Sequence, residues 1–158
     1  MLEERTPAIL PIEAFMTEEH LRLDRLLLAS ERADGSIDDV TYSYFRASLL
    51  RHIAMEEKVL LPFARVQNHE PLAIARVLRE EHGEIAKLLV RTPTAAIVHD
   101  LKVVLFRHDG LEEGPAGLYA TCDRLAGSIA RAEEIVERLK RQPQVPLAKY
   151  YDGPLHRH

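Results

Sequence analysis

The sequence predicts an all-α fold: an antiparallel up-down four-helix bundle with a pseudo-two-fold repeat, plus an additional C-terminal helix. Apolar residues recur at three- and four-residue steps along most of the chain, the period of a helix with one buried face. Runs that alternate apolar and polar residues, which would predict strands, are absent from the sequence. A Glu-Glu-His run that ends at His20 recurs at His82, so the two halves of the chain repeat one helical unit.

Length and composition indicate one soluble domain. The 158 residues are enough for a single core, and we expect one domain over residues 1–158. A net charge of -4, from 21 basic and 25 acidic residues mixed along the chain, argues against nucleic-acid and membrane partners. One cysteine excludes an internal disulfide, and no apolar run approaches the ~18 residues that span a bilayer. The first residues lack the features of a secretory signal, so we expect a cytoplasmic location.

The first two helices follow from proline and capping signals. We predict the first helix from Pro11, a favoured first-turn residue, to about Arg32. Ser36 with Asp39 three residues later resembles a capping box, which predicts a second helix from there to about Gln67. Pro62 lies inside that helix and should kink it, because proline removes one backbone hydrogen bond.

The third and fourth helices complete a core bundle over about residues 12–113. The third is predicted to begin near Pro71 and to end before Thr92. Thr92 or Thr94 can cap the fourth, which should stop at Gly114 and Pro115.

A C-terminal helix is predicted over residues 118–141. Its apolar residues follow alternating four- and three-residue steps and form a narrow seam: Leu118, Cys122, Leu125, Ile129, Ala132, Val136 and Leu139. We expect the seam to pack along the bundle; the alternative is a homodimer in which it pairs with the same helix of a second copy. Residues 143–158 are predicted to be a tail, either strapped to the bundle or flexible.

Histidine and glutamate recur in one order in both halves. The order is a histidine followed by a His-x-x-x-Glu motif, which gives the candidate metal ligands His20, His52, Glu56, His82, His108 and Glu112. Residues four apart lie about 40° apart around a helix, so each His-x-x-x-Glu pair presents both side chains to one face. One such motif is expected by chance, but two copies on apolar faces are not.

Burial of these side chains requires a counter-charge. The helical periodicity places all six on faces that are otherwise apolar, for example beside Leu49 and Leu105. Two buried carboxylates repel each other and are costly unless they are neutralised. Arg79 is the one basic side chain near these faces, so protons or bound cations are the better candidates.

The remaining polar residues receive other interpretations. We expect four histidines to be solvated surface or tail residues: His69, His99, His156 and His158. Four glutamates are expected on the surface or, as the alternative, behind the imidazoles where they would orient them: Glu19, Glu57, Glu81 and Glu113. Tyr42, Tyr44 and Tyr119 are expected to be packing residues rather than redox participants, and Arg51 and Arg107 to be solvated.

Imidazole and carboxylate donors without thiolate favour iron or manganese over a structural zinc site. At this point the ordered set of histidines and glutamates resembles the hemerythrin-like HHE cation-binding domain over about residues 12–113. The run Glu56-Glu57-Lys58-Val59-Leu60-Leu61-Pro62 also resembles the family segment after its first His-x-x-x-Glu motif.

The resemblance implies a non-haem di-iron centre, oxo- or hydroxo-bridged, with manganese or zinc as less favoured metals. It implies that Glu56 and Glu112 bridge the two irons. If the pseudo-two-fold holds, His20 and His52 serve one ion, and His82 and His108 serve the other.

The expected function is binding of oxygen or a related small ligand, nitric oxide or peroxide, for sensing, scavenging or iron handling. The oxygen-carrying members of the family have a further histidine one turn from the third-helix ligand, where this chain has Leu78 and Ala86. With one ligand fewer, reversible oxygen carriage is less expected here than in those members. Ferritin-like oxidases use more carboxylates than this histidine-rich set, so we expect a binding protein rather than an enzyme, with a di-metal oxidase as the alternative. A metal-free helical interaction module is the second alternative.

Overall fold

The computed structural model describes residues 9–155, and in these the chain forms a helical bundle. The helices are α1 (Pro11–Ser30), α2 (Asp39–Met55), α3 (Leu61–Asn68), α4 (Ala75–Leu89), α5 (Ala95–Glu112), α6 (Leu118–Ala126) and α7 (Ile129–Lys140). A π-helical segment, Glu56–Leu60, joins α2 to α3. Within the described residues no strand forms beyond one isolated bridge, so the all-α prediction is confirmed. The tail histidines His156 and His158 lie outside the described residues.

Two pairs of consecutive helices pack along each other. α1 packs along α2, and α4 packs along α5. The loops that join these pairs, residues 31–38 and 90–94, are short enough to hold neighbouring helices side by side. α6 and α7 both pack against α1, and α6 also contacts α3. The C-terminal helices therefore cover one side of the bundle.

The second predicted helix is interrupted just before Pro62. The chain forms the π-helical segment there, in which Leu61 donates its N–H to the carbonyl of Glu56, five residues earlier. Such segments are one cause of helix kinks, so the predicted kink stays a prediction. Pro62 follows in the first turn of α3, where a residue without an N–H is tolerated. The wider π turn begins at a candidate ligand, a place where such segments are frequent in proteins.

The predicted helix caps are partly wrong. Ser36 does not cap α2; its hydroxyl donates to Asp34 at 2.6 Å within the preceding turn. Asp38 is the N-cap residue instead, and its carboxylate accepts a hydrogen bond from the Thr41 hydroxyl at 2.7 Å. At α5, one of the two predicted caps is confirmed, because the Thr94 hydroxyl accepts the backbone N–H of Ile97.

The single C-terminal helix predicted over residues 118–141 is wrong. Gly127 adopts a left-handed conformation with φ of 79° and ends α6, and Ser128 then caps α7. The seam residues are buried in the chain's own core, except that Leu125 is half-buried and Ile129 is 60% exposed. The seam therefore packs along the bundle, as expected, and a homodimer through these helices stays a prediction.

The tail after α7 is strapped to the bundle as far as residue 155. The buried guanidinium of Arg46 donates to the carbonyl of Ala148 at 2.8 Å and lies 4.6 Å from the centre of the Tyr150 ring. Farther along, the carboxylate of Asp152 accepts hydrogen bonds from the backbone N–H and the hydroxyl of Thr92. The tail thus reaches the loop between α4 and α5.

The core consists of two apolar clusters, and the candidate ligands lie between them. One cluster includes Met16, Met55, Leu78 and Leu118, and the other includes Leu23, Leu49, Ile85 and Leu105. Along α1, for example, His20 lies between Met16 of the first cluster and Leu23 of the second. Leu49 and Leu105, which were predicted to lie on the apolar faces beside the ligands, are both buried.

Candidate metal centre

The structure brings all six candidate ligands into one buried cluster. Each is between 0 and 6% exposed. They form two overlapping groups, in each of which the ligand atoms lie within 4.8 Å of one another: His20, His52, Glu56 and Glu112 in the first, and Glu56, His82, His108 and Glu112 in the second. The two glutamates belong to both groups, as a pair of bridging carboxylates would.

The six ligands reach the cluster from five helical elements. His20 comes from α1, His52 from α2 and His82 from α4, while Glu56 begins the π-helical segment. α5 supplies both His108 and Glu112, which are 3.2 Å apart between Nε2 and Oε2. The i,i+4 spacing therefore does what the sequence predicted, since both side chains of that pair enter the same interior space.

The two carboxylates each direct one oxygen to each half of the cluster. For Glu56, Oε2 lies 3.5 Å from Nε2 of His52 and Oε1 lies 2.9 Å from Nε2 of His82. For Glu112, Oε1 lies 3.1 Å from Nε2 of His20, and Oε2 faces His108. Two cations, one in each half, would therefore share both carboxylates.

The electrostatic field of the cluster favours cations. Burial alone would lower the pKa of His20, but the hydrogen bond and charge of Glu112, with Asp109 nearby, raise it to about 10. Burial likewise opposes protonation of His108, yet the carboxylates of Glu112 and Glu56 raise its pKa to about 11. The imidazoles of His20 and His108 therefore hold their protons tightly when no other cation is bound.

Two buried polar atoms at the centre lack a hydrogen-bond partner within the described part of the chain. Among residues 9–155, Nε2 of His108 and Oε2 of Glu112 are buried without a well-aligned hydrogen bond. Buried polar atoms are normally paired, so such atoms require an explanation. A cation between them would pair both, and the donor set therefore fits a metal ion.

Three outer carboxylates orient the imidazoles. Nδ1 of His82 lies 2.7 Å from Glu57, and Nδ1 of His20 lies 2.8 Å from Glu113. Nδ1 of His108 lies 2.9 Å from Glu81. In each case the carboxylate holds the outer nitrogen and turns Nε2 toward the cluster. The structure thus decides between the two interpretations of these glutamates.

Glu19, the counterpart of Glu81 in the repeat, does not make this contact. Its carboxylate accepts hydrogen bonds from Arg22 at 2.6 and 3.1 Å, and Arg51 lies 3.8 Å away. Nδ1 of His52 is consequently buried without a partner among the described residues. Arg51, expected to be solvated, also donates to the backbone carbonyls of residues 140 and 142.

Tyr119 is the residue that sequence reasoning missed. It was expected to be a packing residue, but its hydroxyl lies 2.6 Å from Oε2 of Glu56 and 3.0 Å from Oε1 of Glu112. The same oxygen lies 2.8 Å from Nε2 of His20 and 3.2 Å from Nε2 of His52. The break between α5 and α6 hides this residue from helical periodicity, because no continuous helix relates it to the ligands.

Two spaces lie beside the cluster. A cavity of about 10 Å³, close to the volume that one water molecule requires, borders His20, His52 and His108. A cleft of about 690 Å³ lies between α1 and α5, and its lining includes Phe106, Asp109 and His20. Burial raises the pKa of the Asp109 carboxyl to about 7, although the neighbouring His20 opposes the shift.

The remaining histidines of the described residues lie away from the cluster. His69 is exposed at the end of α3, and His99 is exposed on α5. Arg79 pairs with Glu57 at 3.5 Å and does not enter the cluster. None of the helices between residues 9 and 155 combines the length and the apolar character needed to cross a bilayer.

The fold and the cluster together define a class: a helical bundle with a buried histidine and glutamate site for cations. The family profile of the Hemerythrin HHE cation binding domain matches residues 12–114, and the chain belongs to that family. Comparison with curated proteins finds no match, and neither does comparison with solved structures.

Proposed function

We propose that this chain is a non-haem di-iron protein that binds oxygen, nitric oxide or peroxide for sensing, scavenging or iron handling. The observation that carries the proposal is the orientation of Glu56 and Glu112, each of which turns one oxygen to each pair of histidines. Donors of this kind, without thiolate, favour iron or manganese. Two iron ions would supply the electrons needed to bind oxygen.

The inner ligands, the outer carboxylates and the apolar residues of the site have different roles. His20 and His52 would hold one ion and His82 and His108 the other, and both glutamates would be shared between the two ions. Glu57, Glu81 and Glu113 keep the imidazoles oriented, as described above. The two apolar clusters exclude bulk water from the centre.

The arrangement of the helices supports the same proposal. We infer that α1, α2, α4 and α5 form an antiparallel up-down four-helix bundle, because consecutive pairs of them pack together through short loops. Such bundles place cofactor and metal sites between facing helices. Each of these four helices contributes at least one ligand to the cluster, and the π-helical segment after α2 contributes Glu56.

The cavity of about 10 Å³ limits a ligand beside the histidines to about the size of one water molecule. It is lined by three of the four histidines, by Asp24 and Asp109, and by apolar side chains of α1, α2 and α5. A diatomic gas is close to this size, whereas a larger substrate would have to displace the ligands. We also propose a cytoplasmic location, which the single cysteine of the chain favours.

The test is metal loading with an optical readout. The chain is reconstituted with ferrous iron without oxygen, its metal content is measured, and spectra are taken before and after exposure to oxygen. We expect about two irons per chain and new charge-transfer absorption. His82→Ala should lower the metal content, whereas His99→Ala, at an exposed position of α5, should not. No uptake by the unaltered chain would refute the proposal.

A di-metal oxidase is the second candidate, and the cleft between α1 and α5 favours it. Its volume of about 690 Å³ is that of a small-molecule site, and it ends at His20. An oxidase requires turnover of an organic substrate, whereas a binding protein requires only stoichiometric uptake. Multiple turnovers of oxygen in the presence of a reducing substrate would favour the oxidase.

A further inference from the structure

We infer that Tyr119 is a seventh protein ligand, bound through its phenolic oxygen to the ion held by His20 and His52. The inference rests on the proposed di-iron function and deepens it, because it makes the two metal positions unequal. The side chain is fully buried and comes from α6, outside the four helices that carry the repeat.

The distances around the phenolic oxygen carry the inference. It lies between 2.6 and 3.2 Å from the four donor atoms of the first group, which belong to His20, His52, Glu56 and Glu112. Donors bound to one ion at right angles, each about 2.1 Å from it, are separated by about 3 Å. The phenolic oxygen therefore stands where a fifth donor would stand.

The donors of this group are spaced from each other by similar distances. Nε2 of His20 lies 3.1 Å from Nε2 of His52 and 3.1 Å from Oε1 of Glu112. The phenolic oxygen is therefore about as far from its neighbours as these donors are from one another, as a further member of the same donor set would be.

The second half of the cluster has no counterpart. Among the described residues, the donor atoms that surround the second position belong to Glu56, His82, His108 and Glu112, and no hydroxyl group contacts them in addition. The ion held by His20 and His52 therefore receives five protein donors, and the other ion receives four.

The turn between α5 and α6 places the tyrosine. Gly114 has a φ of 85°, which favours glycine, and the backbone of Gly117 approaches the carbonyls of Glu112 and Glu113 closely. α6 then begins at Leu118 and packs against α1, α3 and α5. The ring of Tyr119 is thereby held beside the bridging carboxylates before any metal binds.

Ligation exchanges one bond for another. The phenolic O–H bond breaks, an oxygen–metal bond forms, and the proton leaves to the solvent, with no change in the oxidation state of the ring. The phenolate is an anionic oxygen donor and stabilises ferric over ferrous iron. We therefore expect Tyr119 to lower the reduction potential of the centre.

The experiment compares the unaltered chain with Tyr119→Phe, each loaded with iron and oxidised. Ferric phenolate centres absorb in the visible region and show phenolate ring vibrations in resonance Raman spectra excited there. We expect both signals in the unaltered chain and neither in Tyr119→Phe, with two irons bound by each. The reduction potential of the variant should be higher.

Tyr42→Phe is the matched control. Tyr42 is as deeply buried as Tyr119, and its hydroxyl has no hydrogen-bond partner among residues 9–155. This variant should keep the visible band, and circular dichroism should show that all three proteins are folded. If the iron-loaded chain and Tyr119→Phe have the same spectrum, Tyr119 is not a ligand. If the unaltered chain takes up no iron, the proposed function fails as well.

Discussion

The carboxylate of Glu81 accepts a hydrogen bond from Nδ1 of His108 at 2.9 Å, whereas Glu19, its counterpart in the repeat, binds Arg22 instead of His52. The two halves therefore place their inner histidines and glutamates alike and also share the contacts of Glu57 and Glu113, but they differ in this one contact behind the imidazoles. Arg107 also donates to Glu81 at 2.6 Å, so a basic partner alone does not prevent the carboxylate from reaching its histidine. Arg22 comes from the same helix as Glu19 and holds it away.

This difference predicts unequal effects of two equivalent substitutions. Glu81→Ala should weaken metal binding by about 10- to 100-fold, because the imidazole of His108 loses the group that orients it. Glu19→Ala should weaken it less, since Nδ1 of His52 has no bond to lose. Competition with a calibrated chelator measures both affinities. Equal losses would show that orientation by Glu81 does not contribute.

A methyl group at Gly117 should disturb the turn that positions Tyr119. An added Cβ would collide with the backbone carbonyls of Glu112 and Glu113, which cannot move without moving α5. We expect Gly117→Ala to lower the free energy of unfolding by about 1–3 kcal/mol, the usual cost of overpacking, and to reduce metal uptake. Urea unfolding and metal analysis are the measurements.

Gly83→Ala serves as the control for that substitution. Gly83 lies within α4, and no atom lies within 4 Å of an added Cβ. Alanine there should raise the free energy of unfolding by about 0.5–1 kcal/mol, because glycine is unfavourable inside helices. If both alanine variants change stability in the same direction, the turn at Gly117 is not constrained as described.

The metal-free protein should lose stability as the pH rises above neutrality. The folded-state pKa values of His20 and His108, about 10 and about 11, exceed the ordinary value of 6.5. Their stabilising contribution is therefore complete below about pH 6.5 and is lost as the pH rises through 10 and 11. Urea unfolding at increasing pH, with a chelator present, measures the decline.

Bound metal should abolish most of the dependence of stability on pH, because the ion replaces the protons on the imidazoles. His99→Ala, whose side chain is exposed, should leave the pH profile of the metal-free chain unchanged. A stability that is independent of pH between 7 and 10 without metal would contradict the assigned charge state of the cluster.

The strap formed by the tail should contribute to stability independently of the metal. Tyr150→Ala removes the ring that lies against the guanidinium of Arg46 and the hydrogen bond of its hydroxyl to Asp39. We expect a loss of about 1–2 kcal/mol in the free energy of unfolding, with unchanged metal content. Thermal or urea unfolding of the metal-loaded protein measures it.

Tyr44→Ala is the corresponding surface control. Tyr44 is 67% exposed, contrary to the expectation that it packs in the core, and its removal should change stability by less than about 0.5 kcal/mol. A strap variant that is no less stable than this control would show that the tail is held only weakly.

Much of the fold and the inner site follows from local periodicity. A step of four residues on a helix brings two side chains to one face, so His52 with Glu56 and His108 with Glu112 could be placed without a structure. The same reasoning placed Leu49 and Leu105 in the core, where they lie. Helix ends were less predictable, since capping depends on which hydroxyl or carboxylate reaches the first turn, as Ser36 and Asp38 show.

The helical class, the repeat and the six residues of the buried cluster follow from the amino-acid pattern alone, because periodicity and spacing act within a few residues of the chain. Packing between distant parts of the chain decides that Tyr119 enters the cluster, that Glu81 reaches an imidazole while Glu19 does not, and that the C-terminal helix breaks at Gly127. These outcomes depend on how separate helices approach one another. A contact between residues 63 positions apart, such as that of Tyr119 with Glu56, is set by packing and leaves no mark in the local pattern.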